Sequence, residues 1–229
     1  IKDARVAVWD EDAMLPLSRE VKDGVARAAD ALAGHGAKVE TIKAPVDTRE
    51  LLINYMWLLI SIISAGFPES KLNDVAKTRD SDLKAFASSR DPWSLELNRL
   101  ATTARADEVI AAQRARQALK DRMAAFFKSH DAILMPVTPV TAFPHDHSQP
   151  FGARILDVDG KPTRYPTMLG WIALATALHL PSLAVQAGRT KAGMPVGVQI
   201  VGPWNGEARL FDFAGAVEES LGGFSPPAA

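Results

Sequence analysis

The chain has 229 residues, of which 47% are hydrophobic and 23% charged, the proportions of a globular protein with a sizeable core. The formal net charge of -1 excludes a strong polyanion-binding field. No cysteine is present, which excludes disulfides, thiolate catalysis and cysteine-ligated metal and fits a reducing, cytoplasmic setting.

The chain opens on Ile1 and leads directly into "ARVAVW", residues 4–9, a β-branched and apolar run that reads as a strand. Nothing there resembles a signal peptide, and the expectation is a chain that begins inside a longer protein. Ser18 stands where a helix N-cap is wanted, with Val21 in place of the usual glutamate three residues on. Val21, Val25, Ala28, Ala29 and Leu32 recur at helical spacing, and Gly34 is the expected terminator. "AKVETIKA", residues 37–44, is the next strand. Strand, helix and strand within residues 1–45 predict a βαβ unit with a parallel pair and a right-handed crossover.

Residues 46–129 read as mainly helical. The run "LLINYMWLLISIISAGF", residues 51–67, carries Asn54, Ser61 and Ser64 and is closed by Gly66–Phe67–Pro68. It is shorter than the roughly 20 apolar residues a span requires. A helix buried in the core or packed on a partner surface is expected, and no membrane span. Asp91–Pro92–Trp93 predicts a helix start, with the aspartate as cap and proline in the first turn. A long helix is expected over about 103–128, with Leu119, Met123, Phe126 and Phe127 on its apolar face. Acids interspersed among its bases make the rest a solvated face rather than a nucleic-acid site.

Residues 130–229 return to strands. "AILMPV", residues 132–137, ends in the proline-punctuated "TPVTAFP". Residues 144–165 show little periodicity and read as a long ordered loop, a length that is often functional. Residues 168–180 predict a helix stopped by Pro181. "SLAVQAG" and "VGVQIVG" read as two strands of a hairpin joined by "RTKAGMP". A last helix over about 206–221 ends at Gly222–Gly223, before the tail "FSPPAA". The fold class expected is α/β: a mixed β-sheet flanked by helices.

No familiar catalytic set is complete. The chain lacks a G-x-S-x-G elbow, an H-E-x-x-H pair and a phosphate-cradling loop with its lysine. His145–Asp146–His147 is the one dense His/Asp cluster, and without further ligands at recognisable spacing it reads as a polar solvent loop, not a metal site. The strand "GMPVGVQIVGP" poses its own question. Gln199 stands in an apolar run, and Gly197 leaves a gap where a core side chain is expected. An unpaired buried amide costs about 1–3 kcal/mol, so Gln199 should brace a neighbouring loop. Gly197 should admit a close backbone, which polypeptide outside these residues can supply.

The segments "DAILMPVTPVTAFP", "LPSLAVQAG", "GMPVGVQIVG" and "EARLFDFAGAVEE" resemble the C-terminal half of the amidase signature family. The resemblance covers roughly residues 130–229 and continues weakly upstream. Two departures stand out: Val185–Gln186–Ala187–Gly188 where the family favours Val-Pro-x-Gly, and His179 where it favours glycine. The resemblance implies a large mixed sheet under helices and cleavage of carboxamide C–N bonds by a serine, a cis-serine and a lysine, without a cofactor. Those groups lie in an upstream Gly/Ser-rich signature that no position here matches, so no catalytic residue is carried over and this chain alone is expected to be inactive. Thr138 and Pro139 on the loop after the "ILMPV" strand, with Trp171 and Leu178, are the candidate lining of an acyl pocket; His179 is weaker. Gln199 and Gly197 are expected beside the site in structural roles. The implied partners are a small-molecule carboxamide and the N-terminal half of the same polypeptide. An uncovered apolar surface, including Trp57, Leu58 and Ile62, would promote self-association. Two other readings are the amidase-type subunit of the tRNA-dependent glutamine amidotransferase and a non-enzymatic α/β binding module. Leu169 speaks against the first, because members of that type place there an acid suited to an α-amino group.

Overall fold

In the computed structural model, residues 1–224 and 226 are described. Of the tail expected from residue 224 onward, Ser225 and residues 227–229 lie outside the described residues.

The first strand, β1 (Arg5–Val8), is followed by α1 (Arg19–Gly34) and β2 (Lys38–Thr41). β1 and β2 pair in parallel with Arg5 opposite Lys38, as the βαβ reading requires. The Ser18 hydroxyl accepts from the Val21 amide at 3.5 Å. Val21, Val25, Ala28 and Leu32 turn inward. The helix runs slightly past expectation. Gly34 is its last residue, and Gly36, at φ 88°, makes the left-handed exit that only glycine adopts freely.

Five helices fill the middle of the chain: α2 (Thr48–Ser64), α3 (Glu69–Ala76), α4 (Arg79–Ser89), α5 (Leu95–Thr102) and α6 (Ala106–Phe126). α2 buries Leu51, Leu52, Tyr55 and Met56 and leaves Ile62 and Ile63 exposed near its end. Among the described residues, no helix is long and apolar enough to cross a membrane. The helix cap expected at Asp91 falls three residues later, at Ser94. Asp91 Oδ1 accepts from the Trp93 amide at 3.0 Å to close a turn, and Ser94 caps α5 by accepting from the Leu97 amide at 3.1 Å. Two acceptors compete for one helix start, and the serine lies nearer the apolar stripe of Leu97, Leu100 and Ala101.

The central strand β3 (Ala132–Pro136) is buried throughout. The 144–165 region is not all loop. β4 (Ile155–Val158) and β5 (Lys161–Arg164) form a hairpin turned by Asp159 and Gly160, at φ 53° and 79°. Asp-Gly is a strong two-residue hairpin signal, and the prolines around it obscured the short strands in the sequence. The helix expected over 168–180 shrinks to α7 (Ala173–Leu178), preceded by a 3₁₀ turn at Tyr165–Leu169 and ended by His179 at φ 55° rather than by Pro181. β6 (Ser182–Arg189), β7 (Pro195–Val201) and α8 (Glu207–Leu221) follow, and Gly222 at φ 87° terminates α8.

The five-stranded sheet runs β2-β1-β3-β7-β6, with β1 parallel to both neighbours and β3, β7 and β6 antiparallel in turn. Alternation along the strands builds two cores. Val6, Val8, Leu134, Val198 and Ile200 pack with Val25, Phe213 and Val217 of α1 and α8. Ala7, Ile133, Met135 and Val201 face the other way, toward α2, α5, α6 and α7. The molecule is therefore a mixed sheet between two helical layers.

Candidate functional site

Three strand segments converge where β3 ends, because β7 runs antiparallel to β3 and begins there, while β6 finishes alongside. The chain leaving Pro136 forms a loop held at two points. The Ser18 amide donates to the Pro139 carbonyl at 2.8 Å. The Thr138 hydroxyl donates to the Val140 carbonyl and accepts from the Val140 amide. Between this loop and the β6–β7 edge lies a mainly apolar cleft of about 370 Å³, lined among others by Val21, Thr138, Val140, Met168, Val196 and Gly197. Residues 140–143 form a ridge shared with a second cleft of about 370 Å³. That one is walled by Phe143 and Tyr165 and carries Glu20, Asp146, Asp157 and Asp159.

The six residues singled out in the sequence separate. Thr138 and Gly197 meet across the apolar cleft. Gly197 is exposed, and a Cβ there would meet only the Val185 carbonyl at 3.9 Å, so no backbone of the described residues makes the close approach expected of it. What its missing side chain provides is open space in the cleft. Pro139 is buried and serves through its carbonyl. Trp171 and Leu178, expected on a pocket wall, are fully buried in the core. Trp171 packs edge-on to Trp9 with ring centroids 5.3 Å apart and donates its indole N–H to the Pro16 carbonyl at 3.0 Å. The physical reason is area: a tryptophan at the head of the apolar α7 gains most by burial.

Gln199 is 4% exposed and fully engaged. Its amide nitrogen donates to the Pro136 carbonyl at 2.7 Å and the Trp171 carbonyl at 3.1 Å, and its oxygen accepts from the Ser182 hydroxyl at 2.9 Å. One amide thus ties the end of β3, the approach to α7 and the start of β6. It shares the sheet face of Val201, where a hydrophobic residue would leave two carbonyls unpaired.

His179 is exposed, and its Nε2 lies 2.9 Å from Arg116 Nη1. Burial first, then the charges of Arg116 and Lys120, holds its imidazole below the ordinary histidine range. Among the described residues, no group of three or more His, Cys, Asp or Glu is placed to hold a metal ion. His145 and His147 stand edge-on with centroids 5.9 Å apart, while Asp146 accepts from the Ser148 amide at 2.8 Å. The apolar cleft can enclose an uncharged body. It offers no lysine or histidine beside a hydroxyl, and the one hydroxyl pair in its lining, Thr138 and Thr141, has no adjacent base. Val21, Met168 and Val196 were not singled out in the sequence. Their periodicity reads as core, and only the antiparallel return of β7 brings them to one opening.

A family model described as Amidase matches residues 1–211, and the chain belongs to that family. It is 28% identical over 218 residues to a glutamyl-tRNA(Gln) amidotransferase subunit of Exiguobacterium sp. (strain ATCC BAA-1283 / AT1b), in an alignment covering 90% of this chain and 43% of that protein. It is 32% identical over 118 residues to a fatty acid amide hydrolase of Medicago truncatula, covering 51% of this chain and 18% of the relative. Among solved structures, 6-aminohexanoate cyclic dimer hydrolase complexed with substrate superposes with a TM-score of 0.67 at 19% identity, over 96% of this chain and 45% of that one. The mixed sheet between helical layers is the fold of amidase signature enzymes, and the chain spans under half the length of these relatives.

Proposed function

We propose that these 229 residues are the C-terminal portion of an amidase that hydrolyses carboxamide C–N bonds through a serine acyl-enzyme. The nucleophilic serine, the bridging serine and the lysine that accepts its proton would come from polypeptide outside these residues. Backbone N–H groups would stabilise the oxyanion. The contribution of this chain is then a wall of the substrate site. Thr138 and Gly197 bound the space for a small carboxamide, Pro139 fixes the loop, and Gln199 holds three segments in register behind it. The observation that carries this reading is the convergence of the β3 exit loop and the β6–β7 edge on one apolar cleft, in a chain whose family match runs over residues 1–211. The natural partner is the complementary portion of the family fold.

The match to a glutamyl-tRNA(Gln) amidotransferase protein over 90% of the chain favours a second reading, in which ammonia released from glutamine is passed to a charged tRNA. Leu169 weighs against it, since an alkyl side chain cannot pair with the α-ammonium of glutamine.

A longer polypeptide containing residues 1–229, assayed on simple aliphatic and aromatic carboxamides, should release ammonia. A serine-directed phosphonyl reagent should abolish that activity. The 229-residue chain alone should show no turnover. Turnover by the pure chain would overturn the division of labour, and glutaminase activity dependent on charged tRNA would replace the hydrolase with the transferase.

A further inference from the structure

At the opposite end of the sheet from the cleft, a groove of about 350 Å³ opens between α6, the α7–β6 link and the turn after β7. Its apolar floor includes Phe127, Leu178 and Leu180. Trp204 stands at its side with 61% of its surface exposed, an unusual display for an indole. Lys120 Nζ lies 5.0 Å from the Trp204 ring centroid. Lys128 lies on the same wall, and Arg116 stands one turn of α6 before Lys120.

Bases outnumber acids here. Among the described residues, neither Lys120, Lys128 nor Arg116 has a carboxylate within ion-pair distance. The single acid in the lining, Asp121, accepts from the Gln117 amide at 2.8 Å. Arg116 directs its Nη1 at His179 Nε2, so that nitrogen is the acceptor and the imidazole is neutral with its proton on Nδ1. Burial first, and then the charges of Arg116 and Lys120, lower the basicity of His179.

We propose that this groove binds a small amphipathic anion, a carboxylate on an aliphatic or aromatic body. The body lies on the half-buried Phe127 and Leu180 against the indole face of Trp204, and the carboxylate meets Lys120 and Lys128. A volume of this size is at the small end of the range for ligand pockets, which suits a ligand of one short chain or one ring. The site is separate from the cleft and does not depend on the amidase reading.

The test uses the whole 229-residue chain and octanoate as probe, followed by calorimetry and by indole fluorescence. Octanoate should bind at a single site and 1-octanol at least about tenfold more weakly, since the alcohol cannot take a charge-assisted hydrogen bond. Lys120→Gln should weaken octanoate about threefold to tenfold. Trp204→Ala should weaken it by a similar factor and remove the fluorescence change. Affinity should fall as salt rises, as expected for an exposed ion pair. Both side chains are solvent-facing, so circular dichroism matching the unaltered chain is expected for each variant. Lys128→Gln gives an independent check on the second cation. Equal binding of octanol and octanoate would overturn the proposal, as would unchanged affinity in both the Lys120 and Trp204 variants. So would a dimer that Trp204→Ala dissolves, which would make a second copy the occupant.

Discussion

The two helical regions on the α2–α7 side of the sheet are held together by different physics. Around α7 and β7 the contacts are mainly apolar, with Trp9, Trp171 and Met135 in one cluster, and the polar contacts there are neutral, the Gln199 amide and the Trp171 indole N–H. Around α4, α5 and α6 the polar contacts are ionic. Arg79, 9% exposed, pairs with Glu108 and donates to the Thr103 carbonyl at 3.0 Å. Asp82 takes a two-point contact from Arg99, with one nitrogen at 2.9 Å, and a further hydrogen bond from Thr78 at 2.8 Å. α4 and α5 are short and α6 buries only Leu119 and Met123, so they bury too little carbon to fix one another, and charged groups set their register instead. The sheet-facing region has area to spare and uses only neutral polar contacts, the Trp171 indole bond to Pro16 and the Gln199 amide where three chain segments must meet. Stability in the first region should respond to volume, and in the second to proton concentration.

The largest expected effect is in the apolar region. Trp171→Ala removes a fully buried indole and its bond to Pro16, and should cost about 3–5 kcal/mol in urea unfolding. A loss below about 1 kcal/mol would mean that the Trp9 cluster is not the keystone of that region. Next comes Gln199→Leu, nearly the same size, which leaves the Pro136 and Trp171 carbonyls without their donor. It should cost about 2–3 kcal/mol. Gln199→Glu should be no better, because a carboxylate cannot donate to either carbonyl.

Much of this division is legible in the sequence, for reasons that differ by element. The inward stripe of α1 and the all-apolar β3 follow from periodicity and composition, which one segment carries by itself. The brace formed by Gln199 follows from the cost of an unpaired buried amide, though its three partners do not, since they come from sequence positions 136, 171 and 182. The β4–β5 hairpin was hidden because its strands have four residues each and one holds a proline. Thr138 was legible as a strand-end residue. For Trp171 a core position is the readier reading from its apolar surroundings, and for Leu178 the sequence alone does not say which side of the short α7 faces the sheet. The ion pairs of α4–α6 join residues 17 to 29 positions apart, a separation at which no helical spacing rule applies.

The smallest effect belongs to the ionic region and has a definite sign. The hydrogen bond from Arg99, opposed by burial and aided by Thr78 and the charge of Arg99, holds the Asp82 carboxyl below its ordinary value of 3.8. A depressed folded-state value means that the unfolded chain takes up the proton first. The stabilisation is therefore complete above the ordinary carboxyl range and drains away as pH falls through the folded-state value. Unfolding free energy measured from about pH 6 down to about pH 2 should drop over that acid limb, with Asp82 contributing to the drop. Asp82→Asn should lower stability at about pH 6 and flatten the limb, since no proton is left to bind. Trp171→Phe, which alters only the apolar region, should shift the whole curve down and leave its slope unchanged. If Asp82→Asn retains the full acid slope, the helices α4–α6 are held by packing after all, and the contrast between the two regions fails.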